Sequence, residues 1–196
     1  MTTFVRYLTF SIALCGLASA SQAAIVLNAT LSGAAEAPPN ASAGFGTATL
    51  TFDDALQTMR LQATFSNLTG TVTAAHIHAT TAVPLTGTAG VATQLPSFSA
   101  FPSGVTSGNY DNTFDMSLAA SYNPAFVTAN GGTTASAYAA LRDASVASRS
   151  YLNIHTSAFG GGEIRGFFAV PEPSCLGLGM LLLGLTVRHR QRRSAE

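Results

Sequence analysis

Two neighbouring segments alternate apolar and polar residues with a period of two, and that pattern commits the chain to strands. In Thr47 to Phe52, Ala48, Leu50 and Phe52 share one parity and the threonines the other. In Thr58 to Phe65, Met59, Leu61, Ala63 and Phe65 alternate with Arg60, Gln62 and Thr64. Successive side chains of a strand point to opposite faces, so each run presents one apolar and one polar face. The short polar turn Asp53-Asp54-Ala55-Leu56 joins them into a hairpin with one wet face.

The same reading gives strands at Ile25 to Leu31, Val72 to His78 and Thr113 to Leu118. Glu36 to Gly44, with Pro38-Pro39-Asn40, reads as a loop, and Asn67 to Gly70 as a turn. Thr80 to Asn112 has little periodicity and reads as long loops with one or two short strands, around Gly90 to Leu95. Asn123 followed by Pro124 opens one helical turn, with Asn123 as its cap. Thr133 to Ala144, rich in alanine, is the one longer helix expected, and Gly131-Gly132 marks its start. A last hairpin spans Tyr151 to Phe168, YLNIHT-SAFGGG-EIRGFF. Its parity places Leu152 and Ile154 toward a core and Tyr151, Asn153 and His155 away from it. Glu163, Arg165 and Phe167 share the opposite face to Ile164 and Phe168. Many short strands with turn signals predict an all-β fold: an antiparallel Greek-key, immunoglobulin-like sandwich with one or two short helices. Two terminal hydrophobic targeting segments flank it.

The chain has 196 residues, enough for one ordinary domain. Residues 1–23 read as a secretory signal peptide: Arg6, a mostly apolar run from Tyr7 to Leu17, then the small-residue pattern Ser21-Gln22-Ala23 for signal peptidase. Residues 24–169 form the β domain, and residues 170–196 are a C-terminal signal. Between Ala24 and Val170, four arginines face seven acidic residues and there is no lysine, a net of −3. No basic patch exists there, which argues against nucleic acid as a partner. Both cysteines, Cys15 and Cys175, fall in the terminal apolar runs, so the mature domain relies on packing without a disulfide.

No nucleophile motif emerges, and the residues predict no catalytic set and no enzyme. His76 and His78 share a strand face, a His-x-His pair suited to zinc or copper, and His155 would be a third ligand if its strand were a neighbour. Glu163 and Arg165 read as an exposed pair stabilising the last hairpin and lying within reach of His155. The reading favoured here is structural: separate hydrogen-bonded histidines, no cofactor and no bound metal. The alternative is a zinc- or copper-binding enzyme or metal-storage domain using His76, His78 and His155.

Ala75-His76-Ile77-His78, followed about seventy residues later by Asn153-Ile154-His155-Thr156 and Gly162-Glu163-Ile164-Arg165-Gly166, resembles the signature of the CHRD domain. His76, His78, Asn153, His155, Glu163 and Arg165 are the residues carrying that motif. The usual Gly-Pro after AHIH is replaced by Ala79-Thr80-Thr81. At the other end, Pro171-Glu172-Pro173, an uncharged run from Cys175 to Val187 and a tail containing Arg188, Arg190, Arg192 and Arg193 resemble a PEP-CTERM sorting signal. That resemblance implies transient anchoring in the inner membrane and cutting by an exosortase, a membrane cysteine transpeptidase. The basic end would stay cytoplasmic. At 1.5 Å per residue the run reaches about 20 Å, short of a ~30 Å hydrocarbon core, as suits a temporary anchor. Together the signals predict a non-catalytic secreted or surface module of a Gram-negative envelope or extracellular matrix. Its partners would be signal peptidase, exosortase and exopolysaccharide or other matrix components.

Overall fold

The computed structural model describes residues 23–172. The apolar run of the signal peptide, both cysteines, Pro173 and the apolar and basic parts of the sorting tail lie outside the described residues. Seven strands form one antiparallel sheet: β1 (Ile25–Ser32), β2 (Phe45–Asp53), β3 (Thr58–Ser66), β4 (Val72–Ala79), β5 (Gly108–Asp115), β6 (Ser150–Thr156) and β7 (Ile164–Phe167). Their order across the sheet is β4-β6-β7-β1-β2-β3-β5. Two helices, α1 (Pro124–Ala129) and α2 (Thr134–Val146), lie between β5 and β6. The all-β expectation is correct. The two halves of the curled sheet, β4-β6-β7 and β1-β2-β3-β5, share one core as a sandwich does, but the pairing of β7 with β1 joins them into a single sheet.

The alternating runs behave as their pattern requires. β2 and β3 pair from Phe45↔Ser66 to Asp53↔Thr58, placing Leu50 opposite Leu61 and Phe52 opposite Met59. All four are fully buried. Burying each such side chain contributes about 1.5–3 kcal/mol, so this hairpin anchors the core. Across the core, Phe98 bridges the two halves. Its N–H donates to the Ala75 carbonyl of β4 (3.1 Å), and its ring packs 5.2 Å from that of Phe114 on β5. The helix starts follow their caps. Asn123 accepts from the Ala125 N–H (3.0 Å) with Pro124 in the first turn, and Thr133 and Ser136 form a reciprocal capping box.

The strand expected at Thr113 to Leu118 lies earlier in the chain, at Gly108–Asp115. Its first half, Gly-Asn-Tyr-Asp-Asn, looks like loop because the outward positions carry Asn and Asp, and Tyr110 alone marks the buried face. Asp111 holds that outer face to β3 through a two-pronged contact with Arg60 (2.7 and 2.6 Å). The end differs too: Asp115 accepts from the Ser117 N–H (2.9 Å) and turns the chain out of the ladder. Around Gly90 to Leu95 there are only single bridges, Val91 to His78 and Thr93 to Tyr122. Among the described residues, no helix is long and apolar enough to cross a membrane.

One departure positions the site. β6 is buried on both faces, with only His155 partly exposed. Its inner face carries Leu152 and Ile154 into the core. Its outer face, read from parity as facing away from the core, is covered by the chain running from Thr80 through Phe98. That segment is tied to β4 by Ala79 N–H to Gly90 O (3.1 Å) and Ala92 N–H to Ile77 O (2.9 Å).

Candidate functional site: three histidines beneath a loop

β4 and β6 are neighbours, so the two motif ends, far apart in sequence, meet in register. His78 lies opposite Tyr151, His76 opposite Asn153, and Ala74 opposite His155. Strand parity sends Ala75 and Ile77 into the core and both β4 histidines outward, where His155 joins them diagonally. Ring centroids are 5.3 Å apart for His76 and His155, 5.9 Å for His76 and His78, and 6.0 Å for His78 and His155. One ring nitrogen from each lies within 4.8 Å of the other two. The expectation of separate histidines is therefore overturned, because their strands pair and their rings share one covered face.

Each imidazole is held in the same way. Nε2 of His76 contacts the Pro96 carbonyl (2.5 Å), Nδ1 of His78 the Ala89 carbonyl (2.9 Å), and Nδ1 of His155 the Gly160 carbonyl (3.0 Å). A carbonyl only accepts, so each of these nitrogens carries the proton. The remaining nitrogens, Nδ1 of His76 and Nε2 of His78 and His155, carry lone pairs, and all three are buried with no hydrogen-bond partner. An orphaned buried acceptor costs about 1–3 kcal/mol. Three such nitrogens, one on each ring of a cluster this tight, call for an electrophile. A backbone carbonyl fixing the tautomer while the other nitrogen stays free is also how proteins orient histidine for a metal.

The electrostatics keep the rings neutral. Burial lowers the His78 imidazole to about 4; the Ala89 carbonyl opposes this, while the neighbouring charges of His155, His76 and Arg165 add to it. Burial lowers His76 too, against the Pro96 carbonyl and with help from His155, and lowers His155 against the Gly160 carbonyl. Near neutral pH the cluster is three uncharged nitrogen donors.

Arg165 borders this group. Its guanidinium lies 4.8 Å from the centroid of the Tyr151 ring, which itself stacks nearly parallel on His78 (4.9 Å, 5°). It donates through Nε to the Ala35 carbonyl and through an Nη to the Gly87 carbonyl (3.0 Å), and faces Glu36 at 3.9 Å. Burial pushes the Glu36 carboxyl up to about 7, against the pull of Arg165. Oε1 of Glu36 and Oδ1 of Asn153 are buried without partners. Both flank the spot where a Cβ on Gly162 would sit, which is one reason a glycine stands there.

Glu163 and Arg165 are not the exposed pair expected. Glu163 is fully buried and Arg165 5 % exposed. Glu163 turns away from His155 and accepts four hydrogen bonds. Oε1 takes Ser42 Oγ and the Thr69 N–H (both 2.5 Å), and Oε2 takes Thr156 Oγ (2.6 Å) and the Gly70 N–H (3.1 Å). Burial pushes its carboxyl up, but these donors outweigh that and hold it below the usual range. Pro171 and Glu172 are described only as the exposed end of the domain.

Sequence reasoning missed the carbonyls of Ala89, Pro96 and Gly160, which backbone identity does not advertise. It also missed Glu36, read as loop. Its one signal was a lone carboxylate in a charge-poor stretch.

The described residues thus form a small all-β domain with a three-histidine cluster on the covered face of one half-sheet. The CHRD domain family model matches residues 27–168, and the chain belongs to that family. No curated protein and no solved structure matches it.

Proposed function

We propose that this CHRD domain is an exported, non-catalytic module of a Gram-negative envelope or extracellular matrix that holds one transition-metal ion at His76, His78 and His155. The observation that carries the metal assignment is that His76, His78 and His155 bring ring nitrogens within 4.8 Å of one another, while each ring also has a buried nitrogen without a hydrogen-bond partner. Carriage or storage suits them better than catalysis. A catalytic metal keeps an open position for substrate, and these nitrogens are sealed from solvent. The export half rests on sequence: the signal peptide read over residues 1–23, and Pro171-Glu172-Pro173 with the apolar run and arginine cluster after it. On this reading signal peptidase and an exosortase process the chain, and exopolysaccharide or other matrix components are its surroundings.

The test is made on protein recovered from the cell surface. Elemental analysis should find one equivalent of a transition metal, absent from His155→Ala, and intact mass should lack Cys175 to Glu196. Metal-free wild type would defeat the metal assignment. Surface material that keeps the full tail would mean a permanent anchor in place of sorting and release.

A further inference from the structure

We propose that the cluster is a copper(I) site: a closed, three-coordinate, all-nitrogen centre that takes the monovalent ion in preference to zinc(II) or copper(II). The proposal rests on the metal-binding reading above and narrows it to one ion.

Charge is the first argument. Among the described residues, no carboxylate or thiolate joins the group. Glu163 is occupied by four donors and Glu36 faces Arg165. A divalent ion on three neutral nitrogens would leave two uncompensated charges in a buried place. The penalty for burying an ion grows as the square of its charge, so the monovalent ion escapes most of it. The Arg165 guanidinium, separated from His78 only by the Tyr151 ring, adds to the disadvantage of the doubly charged ion.

Coordination number is the second. Structural zinc takes four protein ligands, and catalytic zinc takes three plus a water or hydroxide in an open position. Here there are three ligands, and the Thr80 to Phe98 segment closes over them, with Ala89 and Pro96 of that segment bonded to two of the rings. Neither zinc pattern fits. A d10 monovalent copper ion is content with three nitrogens in a plane, and imidazole is among its accepted ligands. With bonds of ~2.0 Å, such an ion spaces its ligands ~3.5 Å apart. Ring nitrogens of the three histidines already lie within 4.8 Å of one another, so the ion has to draw them together by little more than ~1 Å.

The processed protein recovered from the cell surface, stripped by chelator, is titrated anaerobically with copper(I) against bicinchoninate and separately with zinc(II) against a zinc chelator. We expect one equivalent of copper(I), bound at least about 100-fold more tightly than zinc(II). X-ray absorption of the copper form should show three nitrogens at ~2.0 Å and no fourth ligand. His155→Ala and His76→Asn should each lose the competition with bicinchoninate. Zinc bound as tightly as copper(I), with the same histidine dependence, would leave the three-histidine metal site standing and overturn the copper(I) assignment. A four-coordinate spectrum would overturn the closed centre. Failure to bind either metal would overturn both readings. A folded histidine variant retaining wild-type copper would place the ion elsewhere and overturn the proposal. Should both variants unfold, the wild-type absorption spectrum decides by itself.

Discussion

Glu163 is where the structure makes its sharpest prediction about stability. Its carboxylate ties together three parts of the chain: Ser42 before β2, the Thr69-Gly70 turn before β4, and Thr156 at the end of β6. In Glu163→Ala the side chain is gone, and the Thr69 and Gly70 N–H groups lose their acceptor in a buried place. Each orphaned donor costs about 1–3 kcal/mol, and both hydroxyl bonds are lost as well, so a loss of about 4 kcal/mol is expected. Glu163→Gln separates charge from shape. Its amide oxygen serves one pair of donors, and its NH2 group faces the other pair. The Thr156 hydroxyl can rotate to accept, but the Gly70 N–H cannot, so about 2 kcal/mol is lost. Urea unfolding at pH 7 measures both, read from midpoints at constant slope. Because the folded carboxyl is held below its ordinary range, wild-type stability from this group is present above the unfolded pKa and is lost as pH falls through the folded one. Glu163→Gln should therefore lose that part of the acid dependence. If both variants unfold within about 0.5 kcal/mol of wild type, a typical surface-substitution effect, the four-donor account is wrong.

Acid should weaken the metal-free domain through the histidines. His78 falls from 6.5 unfolded to about 4 folded, so the unfolded chain binds the proton first, and stability drops between those values, by up to about 3 kcal/mol for this ring. Because Glu36 titrates across the same window with the opposite sign, the check is made in Glu36→Gln: urea midpoints of that variant in chelator that stay flat from pH 7 to 4.5 would contradict this. Glu36, held up near 7, works with the opposite sign, binding its proton in the folded state first. Glu36→Gln should therefore show a steeper acid loss than wild type, and an equal or shallower loss would count against the assigned shift. At the joint between the half-sheets, a Cβ on Gly166 would strike the Thr30 carbonyl of β1. Gly166→Ala should therefore cost about 1–3 kcal/mol as overpacking, and a neutral effect in thermal melts would show that β1 yields freely.

The strands that sequence revealed are those with one wet face. β2 and β3 announce themselves because threonines alternate with Leu, Phe and Met, and the structure keeps that division. The outer face of β6 defeats the same rule. Tyr151, Asn153 and His155 read as facing away from the core, yet that face is covered too, by a segment whose Gly, Pro, Ser and Thr residues carry no period. Parity correctly put His76 and His78 on one strand face and His155 on the face away from the core, but parity does not say which strands pair. The adjacency of β4 and β6, which joins the cluster, is a property of the topology. Glu163 misled for a related reason. A carboxylate in a charge-poor hairpin looks like a surface ion pair, and only the incoming turn at Thr69 and Gly70 turns it into a buried hub.

The motif residues can then be understood as two devices on one hairpin. Glu163 fixes the end of β6 against the β3–β4 turn, which sets how β4 lies along β6. That register decides whether His76 and His78 stand beside His155 or slip away from it, since a shift of one residue sends a strand's side chains to the opposite face. Arg165 does the equivalent for the cover. Its donors bind Ala35 on one side and Gly87 on the other, and Gly87 lies two residues before Ala89, whose carbonyl fixes the His78 tautomer. Glu163 therefore acts on the strands that carry the ligands, and Arg165 on the loop that orients them. Neither needs to touch an ion for its loss to be felt there.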